Sequence, residues 1–335
     1  MNKHFSVTRL VRVSSAVVTL MLIAGCSNEP VVSLSPGSFS FGLIGDLQYN
    51  SAEERQFPAL LRAIDAEPLA FVVHVGDFKA GGNSPCTDAL FATRLAEFEQ
   101  SKHPLIYLPG DNEWVDCRRP TNGAMDPLDR LRKLRELFFR EPKSLGRSKL
   151  ALTAQADVTA SDPVLSRYRE NAMWIHQGVV FVTLNVQGSN DNVGFDAVND
   201  AEQRERTRAN IQWLGVAIKR AKADDIVGLA VISHANPGFE DTPAEVAKSG
   251  YVAFLKEFEA EAEKFGKPVL FAHGDSHRHR IDRPYVSPVD KRALKNVTRV
   301  EGYGSPNVNW VRISVDPNKP SSPFIIASGN FLPIE

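Results

Sequence analysis

The sequence predicts an α/β protein, one domain with two packed sheets between helical layers. Three observations predict it. Short apolar runs rich in Val, Ile, Leu and Phe alternate with helically spaced segments from residue 39 onward, the pattern of strands buried on both faces and joined by crossover helices. The alternation resumes, less regularly and without an internal repeat, in the second half. No linker-like break interrupts residues 40–330, so the 335 residues are read as one large domain. With 43% apolar and 24% charged residues, the composition is that of an ordinary globular protein.

Taken in chain order, the first element is an address. Lys3, Arg9 and Arg12 form a positive leading region, residues 13–23 are mostly apolar, and Ala24 and Gly25 are the small residues a signal peptidase requires. The apolar run is too short to span a bilayer as a mature helix. Ile23-Ala24-Gly25-Cys26 resembles the lipobox of bacterial lipoproteins, which implies cleavage after 25 and acylation of Cys26; ordinary secretion with a chance cysteine is the plainer alternative. Ser27 after the cysteine implies, in a Gram-negative host, the periplasmic face of the outer membrane. Lacking the leader, the chain carries 36 basic and 40 acidic residues, a formal charge of −4, and no nucleic-acid partner is expected. Residues 26–38, with two prolines and several serines, read as a flexible tether between lipid and domain.

The domain proper spans 39–335. Strands are expected at 39–44, 70–75 and 104–108, with helices at 53–66 and 87–100 between them, a βαβαβ opening with right-handed crossovers. Further strands are expected at 179–186, 226–232 and 268–272, long amphipathic helices at 200–222 and 243–265, and closing strands, antiparallel, at 308–315 and 323–327. Residues 141–170 read as a surface excursion. Cys86 and Cys117 are an even pair in an exported chain and read as a disulfide rather than two buried thiols; a loop of that size contributes roughly 3 to 4 kcal/mol.

Chemistry gathers at the strand ends. The first three strands run out in Gly45-Asp46, Gly76-Asp77 and Gly110-Asp111, spaced 31 and 34 residues apart. One Gly-Asp is ordinarily a turn. Three in register place carboxylates at the carboxyl edge of a sheet, where α/β proteins bind ligands, and glycine before each lets the backbone turn sharply. Two later strands end in His234 and in His273-Gly274-Asp275-Ser276-His277. Carboxylates crowded at one edge repel one another, and a metal cation is their natural partner.

The order of these motifs resembles the calcineurin-like metallophosphoesterase family, whose motifs run D-x-H, G-D, G-N-H-[DE], H and G-H-x-H. Here they stand as Asp46-Leu47-Gln48, Gly76-Asp77, Gly110-Asp111-Asn112-Glu113, His234 and Gly274-Asp275-Ser276-His277, with Gln212-Trp213-Leu214 similar to the family's Q-x-x-W-L helix. The resemblance implies a four-layer α/β/β/α sandwich, two mixed sheets flanked by helices, over about 39–330. It also implies two ions, one held by Asp46, Gln48, Asp77 and His277, the other by Asp77, Asp111, His234 and Asp275, with Asp77 bridging. Another alignment takes Ser276-His277-Arg278-His279 as the last motif. Carboxylate and amide in place of imidazole harden the site, so manganese, iron, magnesium or calcium is expected rather than two zinc ions.

The implied activity is hydrolysis of a phosphate mono- or diester, from a phosphorylated small molecule or an envelope substrate, by a metal-bridging hydroxide. Arg118 or Arg119 is the candidate for pairing a substrate phosphate. Asn112 stands where the family carries the histidine that assists the leaving group, and an amide is no general acid near neutral pH; His234 or Glu113 is left to take that role. General acid catalysis contributes about 10² to 10⁴ in rate, so two readings stay open: an esterase working on a good leaving group, and a non-catalytic metal-dependent binding lipoprotein on the same scaffold.

Overall fold

The computed structural model describes residues 35–283 and 294–329, and Met1. The leader, Cys26 with its lipobox, and residues 27–34 of the tether lie outside the described residues. Strands β1 (Phe39–Ile44), β2 (Val72–His74) and β3 (Leu105–Tyr107) alternate with helices Ser51–Asp65 and Asp88–Phe98. Asn50 caps the first helix by accepting from the amides of Ala52 and Glu53, and Thr87 caps the second from Leu90, which satisfies donors that a helix start leaves bare. The helix Pro127–Phe138 follows, with Asp126 as its cap and Pro at its first position.

Strands β4 (Thr153–Ala154), β5 (Ala172–His176), β6 (Val179–Thr183), β7 (Gly228–Ile232), β8 (Val269–His273), β9 (Arg280–Asp282) and β10 (Val297–Glu301) complete the second half, with helices Ala197–Ala221 and Val252–Phe265 between them. β11 (Val311–Val315) and β12 (Phe324–Ser328) then return to the first sheet. Among the described residues that sheet runs β12-β11-β1-β2-β3 and the other β4-β5-β6-β7-β8-β10-β9. Both are mixed: β1, β2 and β3 are parallel with β11 antiparallel to β1, and β6, β7, β8 and β10 are parallel with β5 and β9 antiparallel at the flanks.

Alternation along each strand explains the layers. On β1, Phe41 and Leu43 join Val73 and Ile106 against Phe181, Ala230, Leu270 and Val300 of the other sheet. Ile44, Val72 and Leu105 face the opposite way, onto Phe57, Leu60, Phe98 and Leu134 of the first three helices. The outer face of the second sheet packs Leu229, Val231 and Phe271 on Trp213, Leu214, Phe254 and Phe258. Side chains two apart share a face, so both faces of each sheet are apolar and the order of layers is helix, sheet, sheet, helix.

The sequence reading and the structure differ at identifiable places. The helix Pro127–Phe138 carries plain start signals that the reading passed over, and β5, β9 and β10 are absent from it. The expected helix at 243–265 is a short capped turn, Pro243–Val246, followed by Val252–Phe265, and between them lies Gly250, where a Cβ would come within 2.3 Å of Asn190 O. The region 141–170 is no mere excursion, since Leu145 pairs with Leu105 and β4 extends the second sheet. Cys86 and Cys117 form a disulfide.

Candidate metal centre

Each of the first three strands delivers its Gly-Asp to one edge of the sandwich. Asp46 and Asp77 adopt left-handed backbone, φ 55° and 56°, a region that Asp tolerates better than most residues. Asp46 N donates to Gly76 O at 3.0 Å and Asp77 N to Glu113 Oε1 at 3.1 Å. The glycines serve two ends. Gly76 is left-handed at φ 97°, whereas Gly110 is required by close approach, since a Cβ there would lie 2.1 Å from Asp77 Oδ1.

The second sheet supplies the facing groups. His234 follows β7, and Asp275 and His277 follow β8, both left-handed. His234 Nε2 lies 3.0 Å from Asp111 Oδ1, 3.5 Å from Asp77 Oδ1 and 3.8 Å from Asp275 Oδ1. His277 Nε2 lies 3.6 Å from Asp46 Oδ1, and Asp275 N donates to both Asp46 oxygens at 3.0 and 3.1 Å. Two overlapping groups, Asp46–Asp77–His234 and Asp111–His234–Asp275, each offer three ligand atoms within 4.8 Å of one another. Asp77 turns Oδ1 toward His234 and the Asn112 amide, and Oδ2 toward Tyr49.

Hydrogen-bond accounting shows that the donor set fits a cation. His234 Nδ1 donates to Val75 O at 2.7 Å and His277 Nδ1 to Ser305 O at 2.8 Å. In a neutral ring this leaves each Nε2 as a bare lone pair facing carboxylates, the tautomer a metal-binding histidine needs. Without an ion, His234 itself must carry the positive charge among these acids. Burial pushes the Asp46 and Asp77 carboxyls well above the usual range, with neighbouring carboxylates adding to it and the His234 charge opposing. Burial likewise lifts Asp275 to about 7. It works against ionisation of Asp111 too, but the His234 hydrogen bond and charge outweigh it and hold that carboxyl low. Burial would lower His234; the charge of Asp77 and the bond to Asp111 win and raise it well above an ordinary imidazole. So many buried acids can all ionise only beside positive charge.

The remaining candidates are distributed differently from the sequence expectation. Gln48 Nε2 donates to Glu97 Oε2 at 2.9 Å while its buried Oε1 has no partner, and Tyr49 also reaches the centre, its hydroxyl 2.8 Å from Asp77 Oδ2 and 3.1 Å from His277 Nε2. Asn112 Nδ2 donates to Tyr49 Oη and Lys79 O. Glu113 Oε1 accepts from Asp77 N, Gly110 N and Tyr107 OH, so this carboxylate braces the loops that carry the aspartates. Arg119 pairs with Asp116 at 2.7 Å, and Arg118 covers the Phe195 ring with its guanidinium 4.0 Å from Asp116. Asp116 is one residue out from the centre: the Ser189 hydroxyl lies 2.6 Å from Asp111 Oδ2 and 3.0 Å from Asp116 Oδ1. His279 points elsewhere, donating to Glu301 O and stacking on Tyr303.

Sequence reasoning missed Tyr49, Ser189 and Lys79. The Lys79 ammonium is buried and donates to Ala80 O and Asn112 O, and with the Cys86–Cys117 bridge it fixes the loop after Asp111. A tyrosine three residues beyond Asp46 was a visible signal; Ser189 in a loop was not.

Comparison with known proteins gives the following. The sequence profile of the calcineurin-like phosphoesterase family matches residues 39–279. No curated protein matches the chain. Among solved structures, that of PhoD superposes with a TM-score of 0.52 at 11% identity, over 87% of this chain and 68% of that one. A phosphatase from Mycoplasma pneumoniae gives a TM-score of 0.43 at 13% identity, over 87% of this chain and 92% of that one. The first supports the fold, and nothing is drawn from the second.

Proposed function

This chain belongs to the calcineurin-like phosphoesterase family, and from that premise we propose that it is a metal-dependent phosphoesterase of the cell envelope, hydrolysing a phosphate mono- or diester. One observation carries the reading: two sheets bring Asp46, Asp77, Asp111, His234, Asp275 and His277 into a single cluster, with Nδ1 of both imidazoles committed to carbonyl oxygens. Two divalent ions there would supply Lewis acidity and a water acidic enough to attack phosphorus at neutral pH. Asp46, Gln48, Asp77 and His277 would hold one; Asp77, Asp111, His234 and Asp275 would hold the other. Asp77 would belong to both, with one oxygen facing His234 and the other Tyr49. The hard donor set suits manganese, iron, magnesium or calcium.

Asn112 orients rather than protonates. Its amide is tied to Tyr49 and Lys79 O, the His234 Nε2 is turned to Asp111, and Glu113 is spent on bracing the loops. The reaction that fits is cleavage of an ester with a good leaving group, such as an aryl ester or a pyrophosphate. The same observation favours the second reading, a metal-dependent binding lipoprotein without turnover. Manganese-loaded protein is expected to hydrolyse an aryl phosphate or a bis-aryl phosphodiester, and Asp77→Asn to lower kcat/KM by about 10² to 10³. Full metal occupancy with no turnover of either ester, nor of an aryl pyrophosphate, would select the second reading.

Envelope placement rests on the lipobox-like run before Cys26 and is supported by the Cys86–Cys117 disulfide, a bond typical of oxidising compartments. Among the described residues no helix is long and apolar enough to cross a membrane. Acyl chains on Cys26 would attach the protein, each buried CH₂ contributing about 0.8 kcal/mol.

A further inference from the structure

Two of the ligand candidates stand on a turn that does not hold itself. Asp275 and His277 are left-handed, at φ 75° and 56°, a conformation that ordinary side chains keep only where the surroundings impose it. Gly274 before them fits so tightly that a Cβ there would lie 2.2 Å from Asp46 Oδ2. A small shift of this turn would move both groups and press on a third.

Glu301, the last residue of β10, has a fully buried carboxylate. Among the described residues its side chain hydrogen-bonds only to this turn. Oε1 accepts from the Ser276 hydroxyl at 2.6 Å and from Arg278 N at 3.0 Å, and Oε2 accepts from Arg280 Nε at 2.6 Å. Arg280 Nη2 donates in turn to Ser276 Oγ at 3.0 Å, which closes a ring of three side chains around the residue between Asp275 and His277. The Glu301 carbonyl accepts from His279 Nδ1 at 2.8 Å. Hydrogen bonds to a carboxylate are the strong ones, and a buried carboxylate that loses one is destabilised. The ring also reaches the loop that carries His234: Arg280 Nη1 donates to Glu240 Oε1 at 2.5 Å, Asn236 Nδ2 to Glu240 Oε2 at 3.0 Å, and Asn236 N to Asp275 Oδ2 at 3.3 Å.

We propose that Glu301 is a positioning residue of the metal centre, setting through Ser276, Arg278 and Arg280 where Asp275 and His277 stand; this rests on the metal-centre reading above. Glu301 hydrogen-bonds to neither of the two and belongs to neither ligand set. Because His277 is assigned to one ion and Asp275 to the other, loss of the ring should weaken both ions together.

The test titrates manganese into the full chain stripped with a chelator, with bound metal counted by mass spectrometry and urea unfolding followed in parallel. Glu301→Gln keeps the size but sets an amide N–H against either Arg280 Nε or Arg278 N. Both manganese ions should bind about 10- to 100-fold more weakly, and excess manganese should restore occupancy. Ser276→Ala cuts one side of the ring with little risk to folding and should weaken both ions to a smaller degree. Combined with Glu301→Gln it should add less than its own single effect, as residues sharing one network do. Phe39→Leu, in the core at the start of β1, controls for stability: it should lower the urea midpoint and leave manganese affinity unchanged. Wild-type manganese affinity in folded Glu301→Gln or in Ser276→Ala, even with a lowered urea midpoint, would reduce the ring to a structural role and overturn the proposal while leaving the metal centre standing. A wild-type chain that takes up no manganese would overturn both.

Discussion

At position 188 the cleft wall is backbone. A Cβ there would lie 2.5 Å from Asp111 Oδ1 and 2.6 Å from Asp275 Oδ1, so Gly188→Ala is expected to push apart the oxygens that meet His234. The second ion should bind at least about tenfold more weakly, roughly 1.4 kcal/mol, while the first is retained; metal titration of the variant reads this directly. His74, at the end of β2, tests a different property. Burial first, then the charges of His234 and Arg94, hold its imidazole down at about 3. The unfolded chain, with an ordinary value of about 6.5, binds the proton first as pH falls. Stability from the neutral ring is therefore complete above about 6.5 and declines toward 3, by about 1.4 kcal/mol per pH unit. Between pH 7.5 and 5 that amounts to about 2 kcal/mol, and His74→Phe should remove this part of the pH dependence of urea unfolding; an unchanged slope would exclude His74 as its source.

Among elements, the loops rather than the strands set the precision of the centre. The disulfide joins the loop after Asp77 to the loop after Asp111 across a sequence separation of 31, and Lys79 binds the same Asn112 carbonyl region from below. The double variant Cys86→Ala/Cys117→Ala is expected to lose roughly 3 to 4 kcal/mol in denaturant unfolding; a loss under about 1 kcal/mol would mean that the unfolded chain gains little freedom from the cut. The loop after β6 is more unusual. Ser189, Asn190, Asp191 and Asn192 are all left-handed, at a cost of about 1 to 2 kcal/mol per residue for ordinary side chains, less for Asn and Asp. Buried Arg206 offsets it by binding both the side chain and the carbonyl of Asp191, while Gly250 N donates to Asn190 Oδ1. That scaffold is what aims the Ser189 hydroxyl at Asp111. Nothing local forecasts such a run, because its stability comes from Arg206 and Gly250, 15 and more residues away.

For the whole molecule, the centre exists only where the two sheets meet. Asp46, Asp77 and Asp111 come from the five-stranded sheet, and His234, Asp275 and His277 from the seven-stranded one. The apolar layer beneath them, Phe41, Val73 and Ile106 against Phe181, Ala230 and Leu270, sets their separation. The proposed attachment to a membrane belongs to this scale too. With the anchor on Cys26, the expressed protein should partition into the detergent phase, and Cys26→Ala should move it to the aqueous phase with its fold and metal content unchanged. Wild type found in the aqueous phase would remove the anchor from the proposal.

What the sequence by itself determined is whatever repeats at short range. The alternation of apolar runs and helical spacing placed β1 to β3 and the helices between them, and the Gly-Asp pairs marked the edge at which the strands end, because strand period and turn chemistry are properties of a few adjacent residues. Helix Pro127–Phe138 belongs in the same class, its Asp126-Pro127 start being as local as any. Tertiary structure alone decided that the Tyr49 hydroxyl meets Asp77 and His277, that Val75 O and Ser305 O bind the histidine Nδ1–H groups, and that Arg118 and Arg119 settle around Asp116. Each of those outcomes depends on atoms contributed by distant segments, such as His234 and Val75, 159 residues apart, and on burial, which no stretch of sequence carries within itself.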